Sequence, residues 1–120
     1  MCIRDRQHTS DETLGPTRGP DWDDNGIWRV LHQHTWDADH AFLNSTFVEL
    51  LQSAFTAGNI LTFNPDPQTA AEARFIRAFT MFCVADGWGQ VPFREPGSSL
   101  EDDPQVFTAS ETIDLSLIHI

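Results

Sequence analysis

Apolar side chains recur at helical spacing over residues 39–63. They step by four and three residues, which places them on one face of a helix: Leu43, Phe47, Leu50, Ala54, Ala57 and Leu61. Asp37 or Asp39 is suited to cap the start of this helix. Asn64 precedes Pro65 and ends it, because a residue before proline avoids the helical region. The pattern predicts one long helix with a single apolar face.

A second apolar stripe follows over residues 66–85. Asp66–Pro67 supplies a cap and a proline in the first turn, and Gly87 marks the end. The predicted core stripe consists of Ala71, Phe75, Ala78, Phe82 and Ala85, widened by Ile76, Phe79 and Cys83. Removing Phe75 or Phe82 from that core is expected to cost about 3–5 kcal/mol. The short link between the two stripes predicts an antiparallel helical hairpin.

The segments on either side of this hairpin lack helical periodicity. Residues 7–38 are polar, turn-rich and longer than a plain connector. They contain three of the four tryptophans: Trp22, Trp28 and Trp36. Beyond the hairpin, residues 90–93 are predicted to be extended and 95–107 to form a loop. Thr108 or Ser110, with a glutamate following, is predicted to cap a third helix. The predicted fold class is all-α.

The composition narrows the range of partners. Eighteen acidic residues and seven arginines, with no lysine, give a net charge of −11. A field of that sign repels nucleic acid and excludes a polybasic membrane patch. No apolar run is long enough to span a bilayer. Cys2 and Cys83 form neither a disulfide framework nor a metal-binding motif.

The two ends of the chain read as one DNA string translated from opposite strands. We encode residues 115–120 as CTG TCT CTT ATA CAC ATC. The reverse complement, read from its second base, then gives Met-Cys-Ile-Arg-Asp, the start of the chain. The string resembles a transposon adapter used in sequencing libraries. Residues 1–6 and 115–120 are therefore expected to be adapter-derived, and 7–114 to be a partial natural domain cut at both sides.

An acidic turn matches the first half of a calcium loop. Residues 21–26, Asp-Trp-Asp-Asp-Asn-Gly, fit the pattern D-x-[DN]-x-[DN]-G, whose oxygen ligands suit calcium. The twelfth position is His32 in place of a bidentate glutamate, and no helix pattern precedes Asp21. A loop that hydrogen-bonds its own backbone is the preferred interpretation, with calcium binding left open.

No other pattern singles out a metal site or a catalytic site. A zinc site would need a fourth ligand at suitable spacing, which is not visible around His32, His34, His40, Asp37 and Asp39. The many carboxylates include no pair that stands out for glycoside hydrolysis. Cys83 lies on the predicted buried face and is expected to be inert. We therefore expect a protein that is not an enzyme and uses no cofactor; apart from the calcium binding left open at the acidic turn, no metal is expected.

The tryptophans of the polar segment carry the strongest indication of binding. Flat aromatic faces stack on sugar rings, and neighbouring carboxylates and amides bond the hydroxyls. The candidate carbohydrate-binding residues are Trp22, Trp28 and Trp36 as stacking faces, with Asp21 and Asn25 as hydroxyl partners. At least one of these three tryptophans is expected to serve packing only, and Trp88 is expected to be structural.

Four groups of residues are distinctive in their order and spacing. The first group comprises residues 9–12, 16–22, 26–28 and 31–32. The second is Ala57-Gly58-Asn59-Ile60-Leu61, the third is Ala71-Glu72-Ala73-Arg74-Phe75-Ile76-Arg77-Ala78-Phe79, and the fourth is Asp86-Gly87-Trp88-Gly89-Gln90-Val91-Pro92-Phe93. Together they resemble the N-terminal part of RagB/SusD-type nutrient-uptake outer-membrane lipoproteins. The third group is similar to that family's AEARFLRA helix, and the fourth to the turn after it, with Trp88 where phenylalanine is commoner. Arg77 either ties that turn or forms a local ion pair with Glu72.

This resemblance implies a SusD-like helical-repeat (TPR-like) scaffold, of which the chain is a fragment. Members sit on the surface of the outer membrane of Bacteroidetes-type bacteria. They are held there by a lipid anchor which, like the signal peptide, is expected to lie outside this fragment. They bind glycans without catalysis and feed a SusC-type TonB-dependent transporter. The alternatives are a helical-repeat scaffold that binds only protein, favoured by a large exposed apolar patch, and a glycosidase, favoured by sugar release.

Overall fold

The structure, a computed structural model, describes residues 7–10 and 24–119. The chain divides into two compact units, Met1–Thr46 and Phe47–Ile120. The described part is mostly helical, with a small two-stranded sheet in the second unit. In chain order the elements are a 3₁₀ turn Asp24–Gly26, α1 Ile27–His32, α2 Ala41–Thr62, α3 Pro67–Trp88, β1 Gln90–Phe93, β2 Gln105–Thr108 and α4 Ala109–His119.

The predicted apolar face of α2 is confirmed. All six of its positions are buried or half-buried: Leu43, Phe47, Leu50, Ala54, Ala57 and Leu61. In the second unit α2 packs against α3 and β1, on a core of Met81, Val84, Ala85, Val91 and Phe93. The Phe47 and Trp88 rings lie 5.2 Å apart at one end of the helix pair. Near the middle of α3, a Cβ on Gly58 would stand 3.8 Å from Arg77 Nε. The hairpin is therefore antiparallel, as predicted.

The predicted core face of α3 is only partly correct. Ala78, Cys83 and Ala85 are buried, but Phe75 is 60 % exposed and Phe82 is 44 % exposed. Ala71, Ile76 and Phe79 of the predicted stripe are exposed as well. The residues that α3 buries are Ala70, Ala73, Arg77, Ala78, Thr80, Met81, Cys83, Val84 and Ala85. Small side chains let two helices approach closely, so the alanine-rich side faces inward and the phenylalanines face outward. Their expected cost of 3–5 kcal/mol is accordingly withdrawn.

The ends of α3 follow the sequence signals closely. The Asp66 carboxylate accepts hydrogen bonds from the Gln68 N–H at 3.0 Å and the Thr69 N–H at 3.2 Å. The Thr69 hydroxyl donates to the same carboxylate at 2.6 Å. At the far end the helix passes Gly87 and stops one residue before Gly89, whose φ of 73° is left-handed. Gly89 is therefore the C-cap, two residues later than the glycine predicted to mark the end.

A short antiparallel sheet follows α3. Residue Gln90 pairs with Thr108, and Phe93 pairs with Gln105. The extended segment 90–93 is thus confirmed, whereas the loop predicted over 95–107 is wrong at its end, where β2 lies. The predicted all-α fold class is therefore incomplete, because it does not include this sheet. A strand of four residues with three exposed side chains shows too little alternation to be detected in the sequence.

The predicted cap of α4 is confirmed at Thr108. The Glu111 carboxylate accepts from the Thr108 N–H at 2.8 Å and from its hydroxyl at 2.8 Å. The Glu111 N–H points back to the Thr108 hydroxyl oxygen at 3.4 Å, which completes a capping box. The helix so started packs against α3, with Thr112 fully buried.

Acid should weaken the start of α3 through Asp66. Hydrogen bonds from the Thr69 hydroxyl, then from the backbone, lower the pKa of Asp66 below its ordinary 3.8. A lowered folded-state pKa stabilises the fold above the ordinary value, and that stability is lost as pH falls through the folded pKa. The wild-type chain should therefore melt at a higher temperature than Asp66→Ala at about pH 7, with the difference shrinking towards about pH 2.

The matched control for that prediction is Asp66→Asn, whose amide oxygen can still accept the cap bonds but does not titrate. Its melting temperature relative to Asp66→Ala should change little over the same pH range. An undiminished advantage of the wild-type chain over Asp66→Ala at about pH 2 would contradict the assignment.

Candidate functional site

The acidic turn of the first unit adopts a left-handed backbone. The φ angles of Asp24, Asn25 and Gly26 are 37°, 58° and 80°. Asp, Asn and Gly are the residues that tolerate such angles best. The Trp28 indole Nε1–H donates to Asp24 Oδ2 at 2.8 Å, which ties the turn to α1. Asn25 is left exposed on the turn.

Trp28 is a packing residue. Its side chain is 5 % exposed. The Phe42 ring stacks on it at 4.5 Å, and the His8 ring lies 4.6 Å away. No face is open to a sugar ring, so Trp28 is removed from the set of stacking faces. This is the outcome expected for at least one of the three tryptophans.

Trp36 and Asn25 remain exposed among the predicted site residues. Trp36 is 39 % exposed, and its ring has the His34 ring beside it at 5.3 Å. His34 itself holds a left-handed φ of 56° in the turn between α1 and α2. Trp22 and Asp21 lie outside the described residues, as does part of the half calcium motif. Two candidates are therefore placed at the surface of the first unit, and one is buried.

His40 is a structural residue that the sequence did not identify. It is buried immediately before α2. Its Nδ1 accepts from the Leu43 N–H at 3.4 Å, which leaves Nε2–H to donate to the Ile27 carbonyl at 3.1 Å. The imidazole thus performs the capping role predicted for Asp37 or Asp39. Asp37 instead accepts the Asp39 N–H at 3.1 Å in the preceding turn.

The described histidines and carboxylates do not assemble into a metal site. Within residues 7–10 and 24–119, no three His, Cys, Asp or Glu side chains are placed to hold a metal ion. The Nδ1 atoms of His8 and His32 are buried without a hydrogen-bond partner in the same part of the chain. No helix in that part has the length and apolar character needed to cross a membrane.

Arg77 is the main charged residue that the core of the second unit encloses. It is 8 % exposed, and its Nη2 donates to the Arg94 carbonyl at 2.8 Å. Its guanidinium also lies 4.7 Å above the Phe93 ring. Burial lowers the pKa of Arg77, and the negative charge of Glu95 opposes that shift. Arg77 therefore ties the segment after β1 to α3, which was one of the two roles predicted for it.

A cleft of about 470 Å³ opens beside Arg77. Its walls come from α2, α3 and the segment 92–104. No local sequence pattern predicts this cleft, because its three walls come from separate segments of the chain. No protein-family model, curated protein or solved structure was found to match the chain.

Proposed function

We propose that the chain is part of a RagB/SusD-type, lipid-anchored protein of the outer membrane, exposed at the cell surface. In this role it is a non-catalytic, SusD-like helical-repeat scaffold that binds glycans and passes them to a SusC-type TonB-dependent transporter. The observation that carries the proposal is the pair of contacts that Arg77 makes with Phe93 and with the Arg94 carbonyl, called the Arg77 clamp below. The clamp joins the helix that resembles the family's AEARFLRA segment to the end of the strand that resembles the segment after it.

The glycan surface is assigned to the first unit, around Trp36 and Asn25. An exposed indole supplies the flat apolar face that stacks on a sugar ring, and an exposed amide both donates to and accepts from hydroxyls. Trp22 and Asp21 remain part of the proposed surface. Trp28 contributes indirectly, because its indole hydrogen bond holds Asp24 in the left-handed turn next to Asn25.

Titration of the chain with a panel of oligosaccharides tests this proposal by calorimetry. At least one oligosaccharide should bind, and Trp36→Ala should weaken it by about fivefold or more, taking the value of about 1–3 kcal/mol for a nucleobase stacked on an aromatic side chain as the guide. The control is Trp88→Phe, a substitution in the second compact unit, which should leave the affinity for the oligosaccharide unchanged. The proposal fails if no oligosaccharide binds, or if Trp22→Ala and Trp36→Ala both bind as tightly as the parent.

A second candidate function is a helical-repeat scaffold that binds only protein. The outward side of α3 favours it, because Phe75, Phe79 and Phe82 form an exposed aromatic stripe. The Phe75 and Phe79 rings lie 6.3 Å apart and nearly parallel. Contiguous apolar surface of this kind marks protein contacts. In helical-repeat proteins each helix pair leaves such a face for the next pair.

The aromatic stripe should make the isolated chain self-associate. Replacing Phe75 and Phe79 with serine should shift the chain towards monomer in sedimentation velocity, with helicity unchanged by circular dichroism. The matched control is Phe63→Ser, an exposed phenylalanine at the end of α2. A wild-type chain that is already a soluble, cooperatively folding monomer would contradict the prediction, as would equal effects of the two changes.

A further inference from the structure

The cleft beside Arg77 has the size and lining of a small-molecule site. Its volume of about 470 Å³ falls in the range of ligand pockets. Most of the lining is apolar and includes Leu51, Phe55, Met81, Phe93, Pro96 and Leu100. The segment 92–104 forms the outer wall and is held in shape by hydrogen bonds, among them Arg94 Nη1–H to the Ser99 carbonyl.

Arg77 gives this apolar cleft one buried positive charge. The guanidinium has five N–H donors, and the hydrogen bond to the Arg94 carbonyl uses one of them. The guanidinium also lies over the face of the Phe93 ring, which does not take up a second strong hydrogen bond. Among the described residues no carboxylate forms an ion pair with it. A buried charge is ordinarily paired, and a carboxylate is the geometric match for a guanidinium.

Glu95 is the side chain placed to compete for that charge. It lines the same cleft, and it is itself exposed to solvent. The negative charge of Glu95 raises the pKa of Arg77, but the two side chains form no ion pair in the described part of the chain. An exposed carboxylate is well hydrated and gains little from such a pair, whereas a ligand with an apolar body would also bury surface against the walls.

We propose that this cleft binds a small aliphatic monocarboxylate, with the carboxylate on Arg77 and the hydrocarbon chain against the apolar walls. The site is separate from the glycan surface and belongs to the other compact unit. It needs no residue of the sugar-binding set. The inference goes beyond the proposed function and does not depend on it.

Hexanoate is the probe, and hexanamide, which has the same shape without the charge, is its matched control. Titrations of the full chain are followed by amide chemical shifts in NMR spectra. Hexanoate should move the amides of the cleft, and hexanamide should bind about tenfold more weakly or worse. Glu95→Gln should tighten hexanoate about two- to fivefold, since it removes the competing charge.

Two surface variants keep the test independent of folding. Leu100→Gln removes an exposed part of the apolar wall and should weaken hexanoate. Val106→Gln, at an exposed residue outside the cleft, should not. Equal binding of hexanoate and hexanamide, or no tightening in Glu95→Gln, would overturn the proposal. So would the absence of hexanoate binding altogether.

Trp36→Ala should leave the affinity for hexanoate unchanged. A failure of the cleft proposal can therefore be distinguished from a failure of the glycan proposal.

Discussion

Replacing Phe93 with alanine is expected to lower the free energy of unfolding by about 3–5 kcal/mol. Phe93 is 5 % exposed and belongs to the core cluster of the second unit. Its ring lies 5.0 Å from that of Phe107 on the paired strand. The Arg77 guanidinium lies over its face. The change would leave a cavity where α3, β1 and β2 meet, and urea unfolding followed by circular dichroism measures its cost.

The matched control is Phe75→Ala, which removes the same side chain from the exposed face of α3. Its cost should stay below about 1 kcal/mol, because a side chain already in water loses little by truncation. The pair of variants thus distinguishes the core seen in the structure from the stripe predicted by periodicity. Equal costs at the two positions, or a larger cost at Phe75, would contradict the burial described for α3.

Replacing Arg77 with methionine is expected to lower the free energy of unfolding by about 2–4 kcal/mol. The change removes a charge-assisted hydrogen bond to the Arg94 carbonyl and a cation–π contact with Phe93. It also leaves that carbonyl without its donor. The desolvation that lowers the pKa of Arg77 offsets part of this loss, because methionine is cheaper to bury.

Two further arginine variants serve as comparisons: one removes an exposed arginine from the same helix, and the other keeps the charge at residue 77 but changes its geometry. Arg74→Met, on the exposed side of the same helix, should change stability by no more than about 0.5 kcal/mol. Arg77→Lys keeps the charge but loses the planar fork, so its stability should lie between those of the wild type and Arg77→Met. The clamp is refuted if Arg77→Met is as stable as Arg74→Met in the same urea titrations.

The sequence predicted those parts of the fold that depend on local chemistry. The apolar face of α2, the cap at Asp66 and the capping box at Thr108 and Glu111 all follow from neighbouring residues. The buried side of α3 could not be predicted in the same way, because its sequence carries two stripes about one residue apart. One stripe is rich in alanine and the other in phenylalanine. Hydrophobicity favours the second, whereas close packing of two helices favours the first.

The sites could be predicted less well than the helices. The exposed positions of Trp36 and Asn25 agree with the candidate set, but the burial of Trp28 depends on contacts with His8 and Phe42 that no local pattern encodes. His40 replaces an aspartate as the cap by accepting the Leu43 N–H, and its ring is held by a hydrogen bond to the carbonyl of a residue thirteen positions earlier. The cleft at Arg77 likewise arises only when three separate segments come together.

The antiparallel pairing of α2 with α3 is tested most directly by an isotope-edited NOESY spectrum of the chain. Cross-peaks are expected between the ring protons of Phe47 and Trp88, whose rings lie 5.2 Å apart. Others are expected between the Gly58 Hα protons and the Arg77 side chain near the middle of α3. Absence of both sets from a spectrum that shows helical α2 and α3 would mean that the helices are splayed, and the proposed scaffold would be abandoned.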